Sequence, residues 1–110
     1  MSKFAVFFSY TPETWAKMIA NPEDRSAVLR ESVRSAGGDL EAVYYMFGRD
    51  DGFVIVDVPD STAAAAVALA VTSTGALAQV ETRELIAASD LPAVLEGAGR
   101  IKGSYRPPGG

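Results

Sequence analysis

The chain has 110 residues, of which 48% are apolar and 22% are charged, a composition typical of one globular domain. Lys and Arg number 10 and Asp and Glu number 14, so the net charge is −4, and this argues against binding to nucleic acid, which needs a basic face. Because the chain has no Cys and no His, disulfides, thiol nucleophiles, imidazole bases and most transition-metal sites are excluded. We therefore expect neither a metal nor a cofactor.

The sequence also lacks the patterns of a targeting signal or a membrane span. One lysine precedes the short apolar run at residues 4–8, whereas a signal peptide needs a longer apolar stretch and a small-residue cleavage site. The most apolar window elsewhere, residues 63–71, is well short of the roughly 20 residues that span a bilayer. A soluble, cytoplasmic protein that does not enter a membrane is expected.

The N-terminal part predicts a strand followed by a helix. Residues 4–10 are rich in β-formers and are apolar at odd and even positions, so both faces of this strand should be covered. Thr11 and Pro12 then have the pattern of an N-cap and a first helical residue. Trp15, Met18 and Ile19 form one apolar stripe of the predicted helix.

A second helical segment follows a break at Asn21-Pro22 and ends at Gly37-Gly38, where glycine accepts a left-handed conformation. Its apolar residues would face the core. Its basic residues alternate with acidic ones, which favours a solvated helix face over an anion site. These basic residues are Arg25, Arg30 and Arg34.

The middle of the chain predicts a hairpin. Residues 40–47 and 53–58 are β-rich runs, and the five residues between them are rich in Gly and Asp. Strict alternation along the first run would set Val43 and Tyr45 on one face, and Leu40 and Tyr44 on the other.

The C-terminal part predicts an alanine-rich helix capped by Asp60 over residues 61–74, and then a strand over residues 77–85. A short last helix would begin near Leu91 and be closed by Gly99. Residues 104–110 form a Pro/Gly-rich tail that cannot be helical. Residues 1–103 are therefore expected to form one domain and residues 104–110 its tail.

The first six elements have the order β-α-β-β-α-β, which predicts an α+β, ferredoxin-like fold. In this fold a four-stranded antiparallel sheet carries its helices on one face, and the last short helix is an addition to it.

The sheet face without helices is the main basis for an expected homodimer. Val54, Val56 and Val58 suit the packing of helices, which leaves Phe53 and Ile55 on the open face. Burying about 600 Å² of apolar surface per subunit contributes roughly 15 kcal/mol, which exceeds association costs of about 4–15 kcal/mol. We expect two copies to join sheet to sheet about a two-fold axis. The alternative is that the last helix and the tail fold over this face.

Asp57 is a candidate site residue because it interrupts an apolar strand, where an unpaired carboxylate is unfavourable. Arg83 is its predicted partner, with Glu81 on the same face of the last strand. The pair could anchor an anionic or polar ligand, or Asp57 could act as a base whose pKa is raised by burial. A structural ion pair that fixes the register of a dimer is the alternative.

Tyr10, Trp15 and Tyr45 could line a pocket between the sheet and the first helix, since these side chains combine apolar area with polar groups. The alternative is an ordinary core. Asp50 and Asp51 favour a solvated hairpin tip, with Asp51 bonded to its own turn, over a metal site.

Several segments resemble the GYD domain family, small proteins of the dimeric α/β-barrel group. The matches run in order along residues 3–86: Tyr10-Thr11, residues 21–25, Gly37-Gly38, residues 44–48, residues 54–60, the alanine-rich helix ending at Gly75, and Thr82-Arg83. The family motif is Gly-x-Tyr-Asp; Gly48 and Asp51 match it, whereas Asp50 stands at the tyrosine position. The resemblance implies the fold and the dimer, while the wider group includes cofactor-free monooxygenases, isomerases and non-catalytic binding proteins.

Three functions remain open from the sequence. The first is a homodimer that binds a small apolar or aromatic molecule without a cofactor. The second is a cofactor-independent enzyme, similar to the monooxygenases or isomerases of this group, acting on an aromatic or polyketide-like substrate. The third is a non-catalytic subunit that binds another protein through its tail.

Overall fold

The computed structural model describes residues 1–110 and contains four strands, four α-helices and one 3₁₀ turn. The elements follow one another as β1 (Ser2–Tyr10), α1 (Pro12–Ala20), α2 (Ser26–Ser35), β2 (Asp39–Tyr45), β3 (Gly52–Val58), α3 (Ser61–Thr72), β4 (Leu77–Glu84), the 3₁₀ turn (Ala88–Asp90) and α4 (Leu91–Lys102).

The four strands form one antiparallel sheet in the order β2-β3-β1-β4. The long strand β1 lies in the middle, so that Phe4 is opposite Val56 on one side and opposite Glu84 on the other. The predicted β-α-β-β-α-β order and the α+β, ferredoxin-like fold are therefore confirmed.

Two predicted helix starts have the expected caps. The Thr11 side chain accepts a hydrogen bond from the Thr14 backbone N–H (3.2 Å), and the Asp60 side chain accepts one from the Ala63 backbone N–H (2.9 Å). Each side chain satisfies a donor that the first turn of a helix leaves free. The N-terminal ends of α1 and α3 are thus fixed by hydrogen bonds within their own first turns.

Helices α2 and α3 cover one face of the sheet. Alternate residues of β1 and β3 point toward them and form the core with one residue from α2 and one from α3. The buried core cluster consists of Phe4, Val6, Val33, Val56, Val58 and Ala64. The prediction that Val54, Val56 and Val58 face the helices is confirmed, since Val54 packs against this cluster.

The pairing of β2 with β3 corrects one prediction from alternation. The register shifts between Leu40 and Ala42, so that Glu41 is an extra residue in β2. Because of this bulge, Leu40 packs against the core cluster on the helix side, and not beside Tyr44 as strict alternation predicted. The strand also ends at Tyr45, two residues earlier than expected, which leaves Phe47 fully exposed in the hairpin.

The last helix also differs from the prediction. Gly99 does not close α4, which continues to Lys102, because this glycine keeps a helical conformation and not a left-handed one. The helix packs on the 3₁₀ turn before it and makes no comparable contact with the sheet. The alternative in which the last helix covers the open face is therefore wrong for the single chain.

The projection of α4 also sets the shape of the molecule. Its radius of gyration is 17.7 Å, against about 13 Å for a compact domain of this length. Leu95 and Ile101 on α4 are 59% and 66% exposed.

None of the helices combines the length and the apolar content that a bilayer span requires.

Candidate functional site

An apolar cavity of about 290 Å³ lies between the sheet, α2 and α3. Short aliphatic side chains from all three line it, among them Val28, Leu29, Val54, Val67 and Val71. The space remains open because α3 presents alanine and valine to the sheet where larger residues would fill it. Its volume is just below the range for drug-sized ligand sites, roughly 300–1,000 Å³, and suits a smaller molecule.

Few polar groups reach this cavity. Of its 17 lining residues 14 are hydrophobic, and the remaining three are Arg25, Ser32 and Thr74. Arg25 is the only charged residue among the 17. The cavity therefore offers a large apolar surface with one cationic group, an arrangement that favours binding over acid–base chemistry.

A second, more polar cavity of about 260 Å³ adjoins the first and shares Tyr10, Arg25 and Ala76 with it. Lys17 and Glu23 also line this second space. Arg25 Nη1 lies 3.2 Å from Glu23 Oε1. The shared residues form the boundary between the apolar space and the polar one.

The three aromatic residues singled out from the sequence do come together. The Tyr10 ring lies 5.2 Å from the Trp15 ring and 6.4 Å from the Tyr45 ring, centroid to centroid, and the Tyr10 and Tyr45 hydroxyls are 3.3 Å apart. The cavity itself, however, lies under α2 and α3, whereas the expected pocket lay between the sheet and α1. Among these three rings only Tyr10 lines it.

Burial of Tyr10 is the main cause that raises the pKa of its phenol well above the usual value, and the hydrogen bond with Tyr45 raises it further. Tyr10 is consequently neutral at physiological pH. It can donate or accept a hydrogen bond at the edge of the cavity, but it cannot serve there as a base.

Asp51 fixes the position of Tyr10 and of α1. Its Oδ2 accepts hydrogen bonds from the Tyr10 backbone N–H (2.8 Å) and from Trp15 Nε1 (3.1 Å). Its backbone N–H donates to the Phe8 carbonyl oxygen (2.9 Å). The expectation that the Asp51 side chain bonds to its own turn is wrong, because the hairpin lies against the end of β1 and brings two donors to this carboxylate.

The rest of the hairpin plays a simpler part. Gly48 has a φ of 139°, which glycine adopts without strain. The Ser9 hydroxyl donates to the Arg49 carbonyl oxygen (3.1 Å), whereas Asp50 has no hydrogen-bond partner in the chain. No group of three metal-ligating side chains occurs here or elsewhere in the chain.

Asp57 and Arg83 lie on the open face of the sheet, away from the cavity, and within one chain they do not pair. Asp57 Oδ2 is 3.8 Å from Lys3 Nζ, and Arg83 Nη2 is 2.7 Å from Glu81 Oε1. An Asp57–Arg83 pair within one chain is excluded because β1 lies between β3 and β4, which separates the two side chains by two strand spacings, roughly 10 Å. Lys3 on β1 is opposite Asp57, whereas Ala5 on β1 is opposite Arg83. The alternative pair across a dimer interface stays a prediction.

Sequence reasoning missed Arg25, which was assigned to a solvated helix face with Arg30 and Arg34. Those two arginines are exposed, but the side chain of Arg25 is only 35% exposed and lines both cavities. The sequence spacing could have predicted this position, because Arg25 precedes Val28 and Leu29 by three and four residues. On a helix these positions share a face.

The family model of the GYD domain matches residues 4–95. No curated protein matches the chain significantly. The matched segment extends from β1 into α4 and includes both cavities and the hairpin. The chain belongs to the GYD domain family.

Proposed function

We propose that this protein binds a small, largely apolar molecule in the cavity between the sheet, α2 and α3. The observation that carries the proposal is the cavity itself, about 290 Å³ in volume and lined by 14 hydrophobic residues out of 17. The cavity is partly open, since its lining residue Val28 is 47% exposed, and apolar surface that contacts water is unfavourable. A ligand of matching shape removes this surface from water and packs against it.

Binding is a better account of the cavity than catalysis. Its lining contains no carboxylate and no lysine, and the raised pKa keeps Tyr10 protonated. The carboxylate considered from the sequence as a base, Asp57, is on the opposite face of the sheet. A reaction that needs proton abstraction would lack its base in this space.

Binding can be tested with three eight-carbon probes that carry different head groups: 1-octanol, octanoate and octylamine. Protein NMR titration should show saturable shifts of valine methyl groups that line the cavity. The substitution Val67→Phe fills the space and should abolish the shifts. The matched control is Leu69→Phe on the same helix, because Leu69 is 70% exposed and lies outside the cavity. If none of the three probes binds, or if Val67→Phe binds them as well as the control does, the proposal is wrong.

We also propose that two copies associate through the open face of the sheet. Phe7, Tyr44 and Phe53 form a row of rings there, with centroids 5.5 and 5.6 Å apart. Charges of both signs surround this row, from Lys3 to Glu81. A two-fold axis through such a face buries the rings and lets opposite charges meet at the rim.

Sedimentation velocity at micromolar concentration tests the association. The wild-type chain should sediment as a dimer, and Phe53→Asp should shift it to a folded monomer. Phe47→Asp is the control, because Phe47 is fully exposed in the hairpin and outside the sheet. A wild-type protein that remains monomeric and well folded at this concentration would exclude the dimer.

A further inference from the structure

The charge at the mouth of the cavity deepens the proposed function, on which the following inference rests. Arg25 is the only charged residue among the 17 that line the apolar space. A guanidinium carries five N–H donors, and Arg25 directs one hydrogen bond, to Glu23 (3.2 Å). The remaining donors are available to a ligand whose apolar part lies inside.

The Glu23 contact is easily replaced. The Glu23 side chain is 51% exposed, and an ion pair on the surface contributes only about 0–1 kcal/mol. Such a partner can rotate into solvent when a stronger one arrives. A ligand carboxylate can accept two parallel bonds from the guanidinium, which is the geometry that arginine favours.

The backbone around Arg25 is held in place. The Ser26 backbone N–H donates to Asp24 Oδ1 (2.9 Å), and Leu29 begins the helical bonding by donating to the Arg25 carbonyl oxygen (3.1 Å). The backbone of Arg25 is therefore fixed at the start of α2. Only the side chain of Arg25 loses conformational freedom when the guanidinium pairs with a ligand, which limits the entropy cost of binding.

A second cation and a neutral phenol lie close by. Lys17 lines the adjoining polar cavity, and Tyr10 lies on the boundary between the two spaces. Glu23 offsets one of the two positive charges. Among the residues that line the two cavities, Arg25 and Lys17 therefore outnumber the single acid Glu23, which favours an anionic ligand over a cationic one.

We propose that the ligand of this cavity is a compact apolar carboxylic acid, whose hydrocarbon part lies between the sheet, α2 and α3 and whose carboxylate pairs with Arg25. A neutral molecule of the same size would fill the cavity, but the guanidinium would then have Glu23 as its only ionic partner. A basic molecule would place two like charges at one mouth. An apolar carboxylic acid both fills the apolar cavity and neutralises the charge of Arg25.

The same three probes test this inference by isothermal titration calorimetry. Octanoate should bind roughly ten- to a hundredfold more tightly than 1-octanol, as expected for charge-assisted hydrogen bonds, and octylamine should bind more weakly than either. Arg25→Gln should reduce the affinity for octanoate to that for 1-octanol. A free energy of unfolding close to that of the wild type shows that this variant keeps its fold.

The matched control is Arg34→Gln, since Arg34 is exposed on the same helix and lines neither cavity; it should bind octanoate like the wild type. Equal affinities for octanoate and 1-octanol, or an octanoate preference that survives Arg25→Gln, would overturn the carboxylic-acid assignment and leave the binding cavity standing. If none of the probes binds, the cavity proposal and this inference fail together.

Discussion

Removing the carboxylate of Asp51 should destabilise the protein strongly. This side chain is the acceptor for the Tyr10 backbone N–H and for the indole N–H of Trp15, both partly buried. Asp51→Ala leaves both donors without a partner. The loss therefore includes the cost of burying unpaired N–H groups as well as the bonds themselves.

The magnitude follows from the two bonds. Hydrogen bonds to a charged group contribute about 1.5–3 kcal/mol each, and partial exposure of both donors reduces the sum, so Asp51→Ala should lower the free energy of unfolding by about 2–4 kcal/mol. Asp51→Asn keeps a carbonyl oxygen without the charge and should lose roughly half as much. Against a total stability of about 5–15 kcal/mol, either change is easily measured.

Urea denaturation followed by fluorescence provides the assay, because Trp15 is the only tryptophan in the chain and its indole is one of the two donors. Protein concentration must be held constant, since association shifts the apparent stability. Asp50→Ala is the matched control, and it should change the free energy of unfolding by less than about 0.5 kcal/mol. The reasoning is refuted if Asp51→Ala is as stable as Asp50→Ala and leaves the emission of Trp15 unchanged.

Three further outcomes are expected. Burial and the bond with Tyr45 raise the pKa of Tyr10, so the folded state holds the phenol proton to a higher pH than the unfolded state does. The contribution of Tyr10 to the free energy of unfolding is therefore fully present below about pH 10, and above this pH it falls by up to 1.4 kcal/mol per pH unit. Tyr10→Phe should flatten this alkaline slope in urea titrations, and an unchanged slope would contradict the assignment. A Cβ at Gly38 would overlap the Asp57 carbonyl oxygen and the Val58 side chain, whereas Gly99 has open space; in thermal melts Gly38→Ala should lose roughly 3 kcal/mol or more, and Gly99→Ala should gain up to about 1 kcal/mol. Amide protons of α4 should exchange far faster than those of β1, since an isolated helix of 12 residues is marginal in water; equal protection would mean that α4 is docked on another surface.

Local features of the fold could be predicted because their causes lie within a few residues. The caps at Thr11 and Asp60 act over one helical turn. The assignment of Val56 and Val58 to the helix side follows from a period of two along one strand. Even the position of Arg25 beside the cavity could be predicted from its spacing to Val28 and Leu29, although the nearby acidic residues favoured a solvated helix face.

The tertiary structure decided every contact that depends on strand order or register. The Asp57 side chain faces Lys3, 54 residues earlier in the chain, because β1 lies beside β3. Asp51 meets Tyr10 and Trp15, and the bulge at Glu41 turns Leu40 toward the core. Such pairings are set when distant segments meet, so no local pattern contains them. The cavity also depends on how distant segments meet. It is the volume that α2, α3 and the sheet together leave unfilled, and none of the three defines that volume alone.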